Sequence, residues 1–199
     1  MYKEHIKIKE KLAFRLVRQL NNFDWEEIND EILFQGINEE KKLRFKWLVN
    51  DKVELLKIYF ELINLKILYE AENDFLDDKD ATIREKLIEI ILRKCEHHQK
   101  DKIALRKVRS LIFNYSEISI KYLSNFMFLS KQALLLSGDD LRGYRGKLRE
   151  IGVCGVFGIV FENWLMNNLD ESKVLSLANK YIARAEEYAL FFNIIYQND

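Results

Sequence analysis

The side chains best placed to do metal chemistry are Cys95, His97 and His98, three residues of two ligand types within four positions. On one helix, successive residues are turned about 100° apart, so these three spread around the axis instead of converging. A structural zinc site also takes four ligands, and no fourth follows at a matching spacing. The expected arrangement is a packed cysteine beside two exposed histidines, with no metal and no cofactor. Other catalytic signatures are missing from the chain: it carries no Gly-Lys-Ser/Thr phosphate loop, nucleophile elbow or His-Glu-x-x-His segment. Its many carboxylates fall at helical i,i+4 spacing from basic residues, as Glu89 does from Arg93, which describes solvated helix faces. The expected class is therefore a non-catalytic protein.

Composition supports that class. Lys and Arg number 32 and Asp and Glu also 32, so no net field draws the chain to nucleic acid or anionic membrane. Cys95 and Cys154 both lie in apolar helical patterns, where a thiol packs as a small hydrophobe and stays reduced, as in the cytoplasm. The opening segment alternates Lys and Glu and has no apolar leader pattern. Proline is absent, glycine occurs seven times, and strong helix formers abound. An all-α fold of about nine helices is expected.

The elements follow from periodicity and caps. Ile6 to Leu20 reads as a first amphipathic helix. Asp24 is expected to cap a short second helix with Glu27 in the capping-box position, Gly36 to close it, and Asn38 to cap a third carrying Leu43, Phe45 and Trp47 inward. A long fourth helix runs from Asn50 or Asp51 to about Tyr69, followed by an acidic loop over Glu70 to Asp80, with Asp80 capping the fifth. The sixth, from Asp101, and the seventh, from about Ser119, place Ile103, Ile120 and Leu123 among their inward residues. A Gly-Asp-Asp break at Gly138 to Asp140 precedes the eighth, and Asp170 caps the ninth.

The eighth helix organises the rest. From Ile151 to Phe161 it is apolar over eleven residues, short of the roughly 20 that span a bilayer. Gly152, Gly155 and Gly158 recur every third position and leave a flank without Cβ atoms, which with Trp164 makes it a candidate dimer interface. The apolar excess of the fourth, seventh and eighth helices admits a dry core or a cavity for an apolar ligand. For such a cavity the candidate lining is Leu62, Leu65, Phe126, Met127, Val153 and Phe157. The tail Tyr188 to Tyr196 either packs as a last core turn or offers Phe191, Phe192, Ile194 and Ile195 to a membrane surface.

Residues 1–49 thus form a three-helix unit of helix-turn-helix order, as at the start of TetR-like proteins, and residues 50–199 a larger helical unit for ligand and dimerisation. The turn of the third helix that should meet a DNA groove is Glu39-Glu40, and from Lys3 to Leu48 ten basic residues face nine acidic ones. Specific DNA binding is expected to be weak or absent. A TetR-type transcriptional regulator with an apolar effector is the alternative reading.

Several segments together resemble the coenzyme Q biosynthesis accessory family. Phe23-Asp24-Trp25 looks like that family's Phe-Asp-Gly-Trp without the Gly, and Ile83-Arg84-Glu85-Lys86-Leu87 is similar to its Ile-Arg-Glu-Arg-Ile. His98 to Val108 resembles its His-Arg-Glu-Ala-Val-Arg-Arg element. Gly138-Asp139, Gly155-Val156-Phe157 and Trp164-Leu165 fall at spacings like those of its Gly-Asp, Gly-Val-Tyr and Trp-Leu. The resemblance implies a TetR-like homodimer whose helix-turn-helix is degenerate. It further implies a cavity that holds isoprenoid quinone intermediates and presents them to the demethoxyubiquinone hydroxylase, with peripheral contact to the inner membrane. In place of the family's Trp-Tyr-x-Lys/Arg-Arg surface motif this chain has Gly146, Lys147, Leu148, Arg149 and Glu150, where only the basic residue is kept.

Overall fold

A computed structural model of the chain describes residues 2–46, 52–78 and 80–195. Nine α-helices and no strand occur among them: α1 Tyr2–Gln19, α2 Asp30–Phe34, α3 Glu39–Phe45, α4 Lys52–Asp77, α5 Ile83–His97, α6 Lys102–Ile112, α7 Ser116–Leu136, α8 Gly143–Asn167 and α9 Glu171–Phe191, with a 3₁₀ turn at Gln99–Asp101. No helix of the described residues is long and apolar enough to cross a membrane. Trp47, Leu48, Asn50 and Asp51 lie outside the described residues, as does Tyr196.

The chain divides into two compact units. The first is residues 1–63 with 99–122, and the second residues 64–98 with 123–199. These units do not divide near Asn50: α6 packs on α1, which joins residues 99–122 to the first unit. In the first unit Leu12, Ala13, Leu16 and Val17 on one stripe of α1, and Leu20 just past its end, are fully buried. Polar ties hold the irregular segments against that stripe: Arg15 donates to the carbonyls of Leu33 (2.8 Å) and Gln35 (2.6 Å), and Lys52 to those of Trp25 and Ile28. The Tyr59 hydroxyl donates to Asp101 at 2.7 Å.

Caps decide most helix starts. Asn38, Thr82 and Asp170 each accept a backbone N–H of the first turn, and Thr82 with Glu85 completes a capping box. Thr82, not Asp80, starts α5. The Glu27 carboxylate does accept the Asp24 N–H (2.7 Å), but that contact closes an isolated turn; α2 begins later, where Asn29 accepts from Ile32. The acidic stretch expected as a loop is helical to Asp77. Its buried Ala71 anchors one side, while Glu70 and Asp74 pair with Arg93 of α5 on another. Leu43, Ile103, Ile120 and Leu123, expected inward, are exposed, since the buried stripes of their helices run through neighbouring positions such as Leu105, Val108, Ile118 and Phe126.

In the second unit α5, α8 and α9 pack together. The connection into α8 is set by two glycines. Gly138, at φ +92°, ends α7 in a Schellman turn, in which the N–H groups of Asp139 and Gly138 reach back to the carbonyls of Leu134 and Leu135. Gly146 sits where the backbone of Leu141 crosses the first turn of α8, so that a Cβ there would stand 2.2 Å from the Leu141 carbonyl carbon. Gly146→Ala should therefore force the crossing apart and cost about 1–3 kcal/mol. In thermal denaturation this appears as a fall in Tm of roughly 2–12 °C. An unchanged Tm would mean that the crossing does not constrain this helix.

Candidate functional site

A cavity of about 880 Å³ lies wholly within the second unit. Its apolar walls come from Ile83 and Leu87 of α5, Val153, Val156 and Phe157 of α8, and Ile182 of α9. Space exists there because Gly152, Ala185 and Ala189 keep facing helix flanks short of side chain. The end of the cavity formed by Arg142 and Tyr188, both exposed, reaches the surface.

That mouth is charged. Arg149, only 17 % exposed in its side chain, donates from Nε to Asp139 (2.8 Å), from Nη1 to the Ile194 carbonyl (3.0 Å) and from Nη2 to the Asp140 carbonyl. Arg142 pairs with Asp140, and the hydrogen bonds it gives hold that carboxyl below its usual range. Beyond α9 the chain turns back because Asn193 adopts φ +54°, and Ile194 and Ile195 close one side of the cavity. The tail therefore splits: its two isoleucines are half-buried, whereas Phe191 and Phe192 are 79 % and 65 % exposed. A largely apolar cavity that opens to the surface beside these charged groups can hold an amphipathic molecule, tail inward.

Of the residues expected to line a ligand site, Val153 and Phe157 do so, joined by Gly152. Leu62, Leu65, Phe126 and Met127 are not among the lining residues. Leu62 belongs to the first unit, and Leu65 is 54 % exposed because the buried stripe of α4 passes through Ile63, Ile67 and Ala71. Met127 is half-buried, and Phe126 is a core ring packed on Phe161 at 5.7 Å. Gly152, Gly155 and Gly158 have open space where a Cβ would stand, and Ile151 and Ile159 are exposed as well. Trp164 departs from the expected interface, being 3 % exposed and packed on Phe161 at 5.2 Å inside the unit.

Sequence periodicity also conceals a polar cluster. Lys94 is 1 % exposed, donates to Asn64 Oδ1 at 3.0 Å, and sits 4.8 Å from the Phe126 ring and 5.3 Å from the Phe161 ring. Asn64 in turn donates to Asn125 Oδ1 at 2.8 Å, and Asn125 Nδ2 has no hydrogen-bond partner among the described residues. His98, expected exposed, is fully buried edge-on to Phe161, and His97 meets Glu70 at 2.6 Å. Cys95 and Cys154 are buried and free, and no group of ligand-type side chains among the described residues could hold a metal. The signal for the cluster is phase: Leu87, Ile91, Lys94 and His98 fall on one stripe of α5.

Compared with known proteins, the chain matches no family model and no curated protein.

Desolvation brings the Lys94 ammonium from its ordinary 10.5 down to about 7, and the same burial, aided by Lys94, holds His98 well below the usual histidine range. Between pH 7 and 10.5 the unfolded chain binds the Lys94 proton and the folded chain does not, so stability rises with pH across that window; below pH 7 the full cost stands, about 5 kcal/mol at 1.36 kcal/mol per decade. Lys94→Met removes that cost but leaves Asn64 without its donor, at about 1–3 kcal/mol. The variant should be the more stable by roughly 2–4 kcal/mol at pH 6, with the advantage gone by pH 10. Urea denaturation of both proteins at the two pH values measures this, and an advantage that does not depend on pH would contradict it.

Proposed function

We propose that this chain is a non-catalytic carrier of an apolar, amphipathic lipid held in the second unit. The cavity carries this reading, since an 880 Å³ apolar chamber reaching the surface at a charged mouth is of ligand size and is not a filled core. The resemblance to the coenzyme Q biosynthesis accessory family supplies the class, an isoprenoid quinone intermediate handed to the demethoxyubiquinone hydroxylase within a TetR-like architecture. Docking would then use Lys147 and Arg149 differently from the family motif, because Arg149 is committed to the turn beneath it. Glu39 and Glu40, exposed on the first turn of α3, weigh against groove binding and so against the regulator reading.

Native mass spectrometry of protein purified with its membrane lipids should show a bound isoprenoid. An isoprenoid quinone at about 100 times its Kd should stabilise the protein by about 2.7 kcal/mol, raising Tm by roughly 5–11 °C. Ala185→Phe, which places a ring inside the chamber, should abolish that rise without unfolding the protein. A lipid-free protein with unchanged Tm, or an Ala185→Phe variant that still responds fully, counts against the carrier.

The same reading makes the chain a homodimer through the open flank of α8. Support comes from the empty space over Gly155 between the exposed Ile151 and Ile159. In an uncovered helix Gly155→Ala gains up to about 1 kcal/mol. Against a close second backbone it should instead weaken the dimer, seen as dissociation in sedimentation equilibrium. A monomeric parent protein would end this part of the proposal.

A further inference from the structure

We infer that the turn Asn193–Ile195 is the gate of the cavity, latched by Arg149; this rests on the ligand reading above and assigns how that site is opened. The other walls are helices α5, α7, α8 and α9 and the α7–α8 connection at Gly138 to Arg142, which its Schellman turn and the Arg149–Asp139 pair tie down. This wall is a chain segment beyond the end of α9. It stays folded over the cavity through the Asn193 turn, in which Ile194 N–H donates to Ala189 O at 2.7 Å and Asn193 N–H to Leu190 O at 3.0 Å. Outside its own helix it is held by the Arg149 Nη1 bond to the Ile194 carbonyl at 3.0 Å.

The latch is asymmetric. Arg149 meets an anionic carboxylate at Asp139 but a neutral carbonyl at Ile194, so the first contact has an ion-pair attraction that the second lacks. Opening therefore breaks the weaker contact and leaves the guanidinium in place on the α7–α8 turn. Lifting the turn withdraws Ile194 and Ile195 from the lining while α5, α8 and α9 keep their packing. The gate has a stop on its inner side, because Ile194 already lies against the cavity, and beside it Phe191 and Phe192 are exposed.

The test is stopped-flow binding of the neutral apolar fluorophore N-phenyl-1-naphthylamine to the full chain. Ile194→Pro deletes the 2.7 Å hydrogen bond of the turn, and Arg149→Lys keeps a cation beside Asp139 but loses the fork that also reaches Ile194. Each should raise association and dissociation rates together by about tenfold, the weight of one lost hydrogen bond, with Kd changed less than about threefold. Should Ile194→Pro fail to fold, Arg149→Lys carries the same expectation. Folded variants with rates equal to the parent overturn the gate while leaving the cavity reading intact. A parent protein that does not bind the fluorophore overturns the cavity reading and the gate with it.

Discussion

One guanidinium ties together the mouth of the cavity. Two helices, α7 and α9, end in Schellman turns, and the residue just past each left-handed position, Asp139 and Ile194, is delivered to Arg149 of α8. A cation near two helix C-termini meets the negative ends of both dipoles, so the charge is welcome there even at 17 % exposure. That junction joins the Gly-Asp-Asp turn to the tail at the mouth of the cavity. The cavity itself is made by omission, with glycine and alanine where the facing helices would otherwise fill the space.

The second unit also carries a cost in its interior. Lys94 is surrounded by an amide and two aromatic faces, partners that soften its desolvation without replacing water. The amide chain from Lys94 through Asn64 to Asn125 links α5, α4 and α7 by directional bonds in an otherwise apolar region. Such a network favours one register of the helices over others, at a price in net stability.

How much of this is legible in the sequence depends on whether the deciding interaction is local. Asn38 and Asp170 as caps, and Gly36 and Gly138 as stops, act within a few residues and are where the sequence places them, although the helix that Gly36 closes starts at Asp30 and not after Asp24. The acidic stretch Glu70 to Asp77 looks like a loop because its charges have no visible partner. It is a helix because Arg93, distant in sequence, supplies one. Lys94 hides for the opposite reason: a lysine on an apolar stripe reads as an interruption until its whole surroundings are known. The cavity is legible only in part, through Val153, Phe157 and Gly152. Its remaining walls depend on which flanks of α5, α8 and α9 face one another and on a tail that doubles back, neither of which a single helical phase determines.

The helix starts capped by Asn29, Asn38, Thr82 and Asp170 have a kinetic consequence. Many proteins begin helices with proline, whose peptide bond equilibrates between isomers in the unfolded chain and returns over tens of seconds. Here side-chain oxygens do that work and the chain contains no proline. Unfolded molecules of this chain therefore contain no prolyl bond to isomerise, and prolyl isomerases have nothing in it to accelerate.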